Sequence, residues 1–387
     1  MPNILHLINT AGPGGAETVF ENIVRYLPAD RWTSTTVVRN EGWLPDRLRA
    51  AGHEPVILGS RSRLDFSYYS MLRDVIRSRT IDLIHTHYFG PAITGSVLGL
   101  LCGIPAVSTL HGTGDLSPTE SFRRLKLNVL RRGTDRVVFV SAPLRDFYVP
   151  LLGLEERSAV VIPNGVEPHF FETRRRGALR SEIGSRPDDF LLGSVGNLRP
   201  AKGYDVLLRA VAELRSELPS VRLVIAGDGE GPLLDELLAL RAELGLVEHV
   251  HFLGFRPDVQ DVLADLDLFV VSSRTEGFSL AAVQAMAAGL PVVATKSGGP
   301  EMILEHGRTG ILVDAGSAQA LAGAIRDLHG KRSERQQLAR AGRRHAAEQF
   351  TVEQQVRAYE QLYEDCLGAG TRGKTATRVE PRQGVVA

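Results

Sequence analysis

Two permanent cations, Arg199 and Lys202, stand three residues apart in the run Val195-Gly196-Asn197-Leu198-Arg199-Pro200-Ala201-Lys202-Gly203-Tyr204. The run follows an apolar strand pattern and precedes a helical one beginning near residue 204. A guanidinium fork, an ammonium and a helix start converging on one point are what holds a diphosphate. The chain has 40 Arg but 5 Lys, so a lysine in that position is the more informative. A second constellation lies in Ser272-Ser273-Arg274-Thr275-Glu276-Gly277-Phe278-Ser279-Leu280, where a carboxylate sits in the loop before a helix. Gln284 follows eight residues after Glu276, in the second helical turn and on the side of Leu280 and Ala287. The pair is placed to grip opposite ends of a small polyol-bearing ligand. His111 closes an apolar strand in Thr109-Leu110-His111-Gly112 and is a candidate hydrogen-bonding or acid–base group; a structural histidine is the competing reading.

Glycine-rich turns complete the set. Gly12-Pro13-Gly14-Gly15-Ala16-Glu17 follows the first strand and opens a helix, so its backbone can approach an anion or a sugar hydroxyl. It does not match GxGxxG, which disfavours a nicotinamide fingerprint, and a bare turn explains it as well. Gly227 and Asp228, in Ala226-Gly227-Asp228-Gly229-Glu230-Gly231, suit approach to a base or ribose, or a plain turn. Ser297-Gly298-Gly299-Pro300-Glu301 reads as a helix start suited to phosphate oxygens. His85 and His87 close another strand; alternating faces, they are read as structural rather than as metal ligands.

The elements that must position these loops alternate regularly. Short apolar, β-branched runs fall at 4–8, 35–38, 55–58, 81–86, 106–110, 136–140 and 159–162, then at 190–195, 222–226, 251–253, 268–271, 291–295 and 310–313. Helical patterns separate them. Strand–helix repetition with fully apolar strands predicts parallel sheets covered on both faces. Seven strands before a Pro-, Gly- and Arg-rich lapse at 164–189 and six after it predict two doubly wound domains, whose strand C-termini face one cleft. The region 333–366 reads as helix with a hesitation at Phe350-Thr351.

The composition narrows the class. At 387 residues the chain has room for two cores. Its 45 Lys plus Arg balance 45 Asp plus Glu, against a nucleic-acid binder driven by bulk charge. Cys102 and Cys366 form no disulfide framework or zinc spacing. No secretory signal is visible in MPNILHLINT. The uncharged stretch 92–110 is long enough to span a bilayer but is broken by Gly-Ile-Pro into helix and strand. A cytoplasmic protein is expected, with a peripheral place at the inner membrane face as the variant.

Taken in order, these motifs resemble a retaining glycosyltransferase of family 4 with the GT-B fold, in the glycogen-synthase-like group 1. The resemblance rests on EGFSLAAVQAMAAGLPVVAT, GNLRPAKGYDVLLRA, PNGVE, GDGEGPLL, FLGFRPDV, SGGPEMILEHGRTGILV and the N-terminal GGAE, and covers roughly residues 3–365. It implies an α/β chain with two Rossmann-like domains facing a central cleft: an acceptor domain over 1–167, a linker over 168–188 and a nucleotide-sugar domain over 189–350. A helix over 351–367 would cross back to the first domain, and a disordered tail would occupy 368–387. Arg199 and Lys202 would then hold the donor's diphosphate, and Glu276 the hydroxyls of the transferred sugar. Gln284 stands where the family usually has a glutamate on the ribose, and Asn197 where many members carry an arginine. Gly14 and Gly15 would lie near the phosphates, and His111 at the sugar's edge. The donor-binding set further takes in Gly227, Asp228, Phe255, Gly277, Phe278, Ser279 and Leu280.

The expected reaction moves a sugar, UDP-linked in the first instance, to a hydroxyl of a glycan or lipid-linked acceptor. No cofactor and no metal are expected, and no nucleic-acid partner. Rival readings are a non-catalytic nucleotide-sugar binder, motivated by Gln284 and Asn197, and a nucleotide-sugar 2-epimerase. The basic helical segment 121–132 reads first as a surface helix packed on its sheet through Phe122, Leu125 and Val129, and second as a membrane-surface helix.

Overall fold

Strands buried on both faces have to be apolar throughout, and each apolar run of the sequence becomes a strand. A computed structural model describes residues 1–59, 65–116 and 120–374. The first sheet contains β1 (Asn3–Ile8), β2 (Thr33–Val38), β3 (Val56–Ile57), β4 (Leu83–His87), β5 (Ala106–Leu110), β6 (Arg136–Phe139) and β7 (Ala159–Val161), in spatial order β3-β2-β1-β4-β5-β6-β7. The second contains β8 (Phe190–Val195), β9 (Val221–Ala226), β10 (Val250–Gly254), β11 (Leu268–Val271), β12 (Val292–Lys296) and β13 (Ile311–Asp314), in order β10-β9-β8-β11-β12-β13. Every pairing is parallel. The chain is thus an α/β protein with two doubly wound halves, the GT-B architecture.

The strand order reverses between β1 and β4 in one sheet and between β8 and β11 in the other. Ligands of open α/β sheets bind at such switch points, outside the strand C-termini. The loops after β1, β8 and β11 are the three that carry Gly14, Lys202 and Glu276.

The helices cover both faces. Helix Tyr204–Arg215, for instance, buries Leu207, Val211 and Leu214 at spacings of four and three against the second sheet. Each such leucine or valine contributes about 1.5–3 kcal/mol on full burial. Helix Phe89–Cys102 and strand β5 share the uncharged stretch 92–110, and no helix of the described residues is long and apolar enough to cross a membrane. Cys102 and Cys366 are both free thiols.

Two differences from the sequence reading concern connections: the segment 168–188 and the end of the last helix. The segment 168–188 is no loose tether. It holds a short 3₁₀ turn and helix Ala178–Glu182, bound to the second half by one fully buried carboxylate. Asp265 accepts from the backbone N–H groups of Arg176, Gly177 and Leu179 at 3.1, 2.6 and 2.9 Å. The hesitation at Phe350-Thr351 separates two helices, Arg332–Gln349 and Val352–Lys374. The last helix therefore passes residue 368 without a break; the remainder of the expected disordered tail, 375–387, lies outside the described residues.

That last helix crosses back to the first sheet. Across the crossing the Val166 N–H donates to the Phe350 carbonyl and the Val352 N–H to the Val166 carbonyl, and a Cβ on Gly165 would lie 2.4 Å from the Thr351 carbonyl oxygen. Further along, Glu360 accepts from Arg31 and from the indole of Trp32, Tyr359 meets Thr109, and Tyr363 meets His85.

Candidate active site

The cleft between the halves is built from five loop ends. In the second half, a 3₁₀ turn over Pro200–Lys202 follows β8 and delivers Lys202 to the edge of β11. Gly203 makes this possible: it adopts φ +63°, and a Cβ there would stand 2.3 Å from the Ser272 carbonyl oxygen. Lys202 Nζ reaches Glu276 Oε1 at 2.6 Å, and Ser273 Oγ donates to the same oxygen at 2.7 Å. The Glu276 side chain is only 10% exposed and that of Lys202 26%, so the pair is largely withdrawn from water. Ser194, Tyr204 and Ser279 line the same small cavity. Arg199 is exposed, and its guanidinium makes no hydrogen bond or ion pair among the described residues. Its charge is felt across the cleft by Tyr88 and Asp115.

The helix Leu280–Ala287 that follows Glu276 begins at Ser279, whose φ of +77° is unusual for a residue with a Cβ. This turn lets the 276–278 backbone run against the first half. A Cβ on Gly277 would lie 1.9 Å from the His111 carbonyl oxygen, and Ser141 Oγ donates to the Gly277 carbonyl at 2.5 Å. Gln284 is buried, and its amide has no hydrogen-bond partner among the described residues.

The first half contributes a more acidic wall. Glu17, one turn into helix Gly15–Tyr26, accepts from Thr10 Oγ1 at 2.6 Å and from the Tyr88 hydroxyl at 3.1 Å. Its other carboxylate oxygen lies over Gly14, where a Cβ would stand 2.2 Å away. Asp115 accepts from the His111 backbone N–H at 2.6 Å. Burial pushes the Asp115 carboxyl up to about 7, although the His111 and Gly112 N–H groups act the other way. His111 itself is held neutral, its imidazole lowered to about 3 by burial.

The structure brings together His111, Arg199, Lys202, Glu276, Gly277 and Ser279 around the cleft, with Gly14 and Gly15 at the start of their helix and Gln284 buried in the helix that follows Glu276. Asn197 ties the two halves together: its Nδ2 donates across the cleft to the Pro13 carbonyl at 2.8 Å, and its Oδ1 accepts from the Asp228 N–H at 3.3 Å. Phe255 is half-exposed and meets Trp43 of the opposite half edge-on, 6.5 Å between centroids. These two contacts join the halves directly.

Other expectations are corrected. The Phe278 ring is buried in the core against Phe350, 5.7 Å away edge-on, and does not face the cleft. Leu280 packs with Val19, Val352 and Val356, a hydrophobic contact between halves. Gly227 is required by a neighbour, since a Cβ would lie 2.0 Å from the Gly196 carbonyl oxygen. The Gly-Gly-Pro turn is already capped: Glu301 accepts from the N–H groups of Ser297 and Gly298, and Gly299 N–H donates to the Glu276 carbonyl. His85 and His87 share one face of β4, as residues two apart in a strand must, with ring centroids 4.5 Å apart. Among the described residues no group of three His, Cys, Asp or Glu side chains is disposed to hold a metal ion.

Phe122 and Leu125 were expected to pack on the sheet, but helix Arg123–Gly133 turns the other way. It buries Leu130 and Gly133 and leaves Phe122 78% and Leu125 62% exposed. Sequence reasoning missed Glu17, Tyr88, Asp115, Ser141 and Trp43. Glu17 was visible within a singled-out loop; the others carry no local signal.

Residues 176–345 match the family described as Glycosyl transferases group 1, and residues 13–170 that described as Glycosyltransferase Family 4. The D-inositol 3-phosphate glycosyltransferase of Corynebacterium jeikeium is 32% identical over 315 residues, covering 76% of this chain and 74% of its own. The N-acetyl-alpha-D-glucosaminyl L-malate synthase of Bacillus anthracis is 28% identical over 321 residues, 80% of this chain and 81% of its own. Among solved structures, Anabaena HepE in complex with UDP-glucose is 26% identical, with a TM-score of 0.83 over 94% of this chain and 99% of that one.

Proposed function

The chain belongs to the group 1 and family 4 glycosyltransferases, and from that premise we propose that its donor is a UDP-linked sugar, transferred with retention to an acceptor hydroxyl. The observation that carries the donor reading is the Lys202–Glu276 pair beside the unpartnered Arg199. A bound diphosphate would draw Lys202 Nζ and the Arg199 fork onto its oxygens, releasing the Glu276 carboxylate for a sugar hydroxyl. UDP-glucose in HepE supports the choice of base. Gln284, buried with a free amide, can both donate and accept at the ribose hydroxyls.

In the proposed step the bond between the anomeric carbon and the diphosphate oxygen breaks while the acceptor oxygen bonds to the same face of the sugar. The acceptor's proton passes to the departing phosphate. The chain needs no nucleophile of its own; it orients the two substrates and stabilises the leaving charge with Arg199 and Lys202. Neither a metal nor a cofactor enters this scheme. An epimerase or a non-turning-over binder would give no glycosylated product, which separates both from the transferase.

A panel of UDP, GDP and ADP in thermal unfolding tests the donor. At ~100 times its dissociation constant a ligand stabilises the fold by about 2.7 kcal/mol. UDP should raise the melting temperature and the other two should not; a response to GDP or ADP alone would replace the proposed base.

We further propose a lipid-linked acceptor in polysaccharide or glycolipid synthesis. Exposed Phe122 and Leu125 lie among Arg123, Arg124 and Arg132, which make no ion pair among the described residues. An apolar face ringed by free arginines suits an anionic bilayer surface. The protein should sediment with phosphatidylglycerol vesicles and not with phosphatidylcholine vesicles, and F122S/L125S should abolish it. Absence of wild-type sedimentation would end this reading.

A further inference from the structure

Four histidines stand in a row beneath the cleft. His6 on β1, His85 and His87 on β4, and His111 just beyond β5 have ring centroids 5.6, 4.5 and 5.1 Å apart in that order. Their hydrogen bonding is uneven. His85 is saturated, with Nε2 at 2.8 Å from Thr109 Oγ1 and Nδ1 at 2.7 Å from the Tyr363 hydroxyl. His87 has one bond, from Nδ1 to His111 Nε2 at 2.9 Å, and its Nε2 is buried with no partner. The His87 and His111 rings are tilted by only 17°, so they are nearly coplanar and the shared bond lies in the plane of both. His111 Nδ1 has no partner among the described residues.

Both imidazoles are kept neutral by burial, so one proton lies in the shared bond and each ring has one N–H. Two arrangements satisfy this. If His111 donated from Nε2, His87 would carry its own proton on Nε2, a buried donor with no acceptor. Phe20, edge-on at 5.1 Å, and the tilted His85 ring at 4.5 Å offer at most a weak π contact. A buried unmet polar group costs about 1–3 kcal/mol, and orphaned N–H donors are rarer in folded proteins than under-used acceptors. If His87 donates from Nδ1 instead, the unmet atom is a bare lone pair. His111 then has its proton on Nδ1, the nitrogen left free of protein partners.

We propose that His87 is a positioning residue: by donating Nδ1–H to His111 Nε2, it fixes His111 as the Nδ1–H tautomer, which offers the sugar in the cleft a hydrogen-bond donor. This rests on the reading that His111 borders the donor sugar. The partner of one ring nitrogen sets which proton the other has. A histidine in the wrong tautomer keeps its place and loses its function.

The test uses the full chain labelled with 15N histidine. Long-range 15N–1H correlation should show His111 protonated on Nδ1 in the wild type. H87N keeps an amide donor near the Nδ1 position, and should preserve both the tautomer and most of kcat. H87D, which accepts where His87 donates, and H87L, which does neither, should each move the His111 proton to Nε2. Each should lower kcat by about 10–100-fold with the donor KM little changed, the range seen when a residue orienting an active-site ligand is removed. Thermal unfolding identifies any variant that fails to fold; the wild-type spectrum and H87N remain decisive in that case. His111 protonated on Nε2 in the wild type overturns the proposal. So does a folded H87L with unchanged tautomer and kcat. H111A with undiminished turnover would instead overturn the placement of His111 at the sugar, whatever the spectrum shows.

Discussion

Lys202→Ala should lower kcat by about 10²–10³-fold, the usual effect of deleting one preorganised group that stabilises developing charge. The side chain sits at the end of a 3₁₀ turn fixed by Gly203, and its ammonium is 2.6 Å from Glu276. It has two roles in the cycle. With the cleft empty it neutralises a carboxylate that is 10% exposed; with donor bound it faces the leaving diphosphate. The first role contributes to stability: a hydrogen bond to a charged group is worth about 1.5–3 kcal/mol. Ser273 remains on Glu276, so the fold should survive. Steady-state kinetics with a UDP-sugar, alongside thermal unfolding, separate the two roles. A folded variant with wild-type kcat would remove Lys202 from the machinery.

The buried histidine row makes the protein acid-labile. His6 and His111 are lowered to about 3 by burial, and His85 and His87 well below the ordinary value. Their folded pKa values lie beneath the unfolded one. Between about pH 6.5 and 3 the unfolded chain therefore binds protons that the folded chain refuses. Stability is full above about 6.5 and falls as the pH falls. Asp115 works in the opposite sense. Raised to about 7 by burial, it is protonated in the folded chain between about 4 and 7, which adds stability as the pH falls through 7. The four histidines outnumber the one carboxyl in this cluster, so its net effect is a loss of stability as the pH falls below about 6.5. Thermal melts from pH 8 to 4 should show a plateau down to about 6.5 and then a steep decline. A melting temperature unchanged at pH 4.5 would contradict the neutral buried row.

Most of the fold could be read from the sequence, because strands covered on both faces have to be apolar along their length. All thirteen apolar runs are strands, and the polar lapse between the seventh and eighth separates the sheets. What escaped depends on partners distant in sequence. Asp265 caps a segment 86 residues away in the case of Leu179, and nothing near residue 178 announces it. Phe122 and Leu125 follow a helical stripe, but the helix buries Leu130 and Gly133 instead, Gly133 against Ser96 of helix Phe89–Cys102. Local composition at 368–374 is polar and glycine-containing, yet the last helix continues through it.

The candidate site divides in the same way. Lys202, Glu276 and Gln284 were legible because charge and helix starts coincide in short runs. Phe278 shares the run of Glu276 for reasons of packing, and a motif does not distinguish a residue that touches a ligand from one that lets the loop close. His85 and His87 were misassigned by a period error: residues two apart share a face, and the shared face builds the histidine row. Asp115 shares the loop of His111, whereas Glu17 and Tyr88 come from the helix after β1 and the end of β4, so only the fold brings those two to it.

Lys202 is proposed to hold the diphosphate of a uridine nucleotide in this cleft. Calorimetric titration of UDP into the wild type and into Lys202→Ala tests it most directly. One site should appear in the wild type. Binding should weaken by at least about tenfold in the variant, the 1.4 kcal/mol that a charge-assisted hydrogen bond readily supplies. Equal affinity for the two proteins, or no binding to the wild type, would contradict the account.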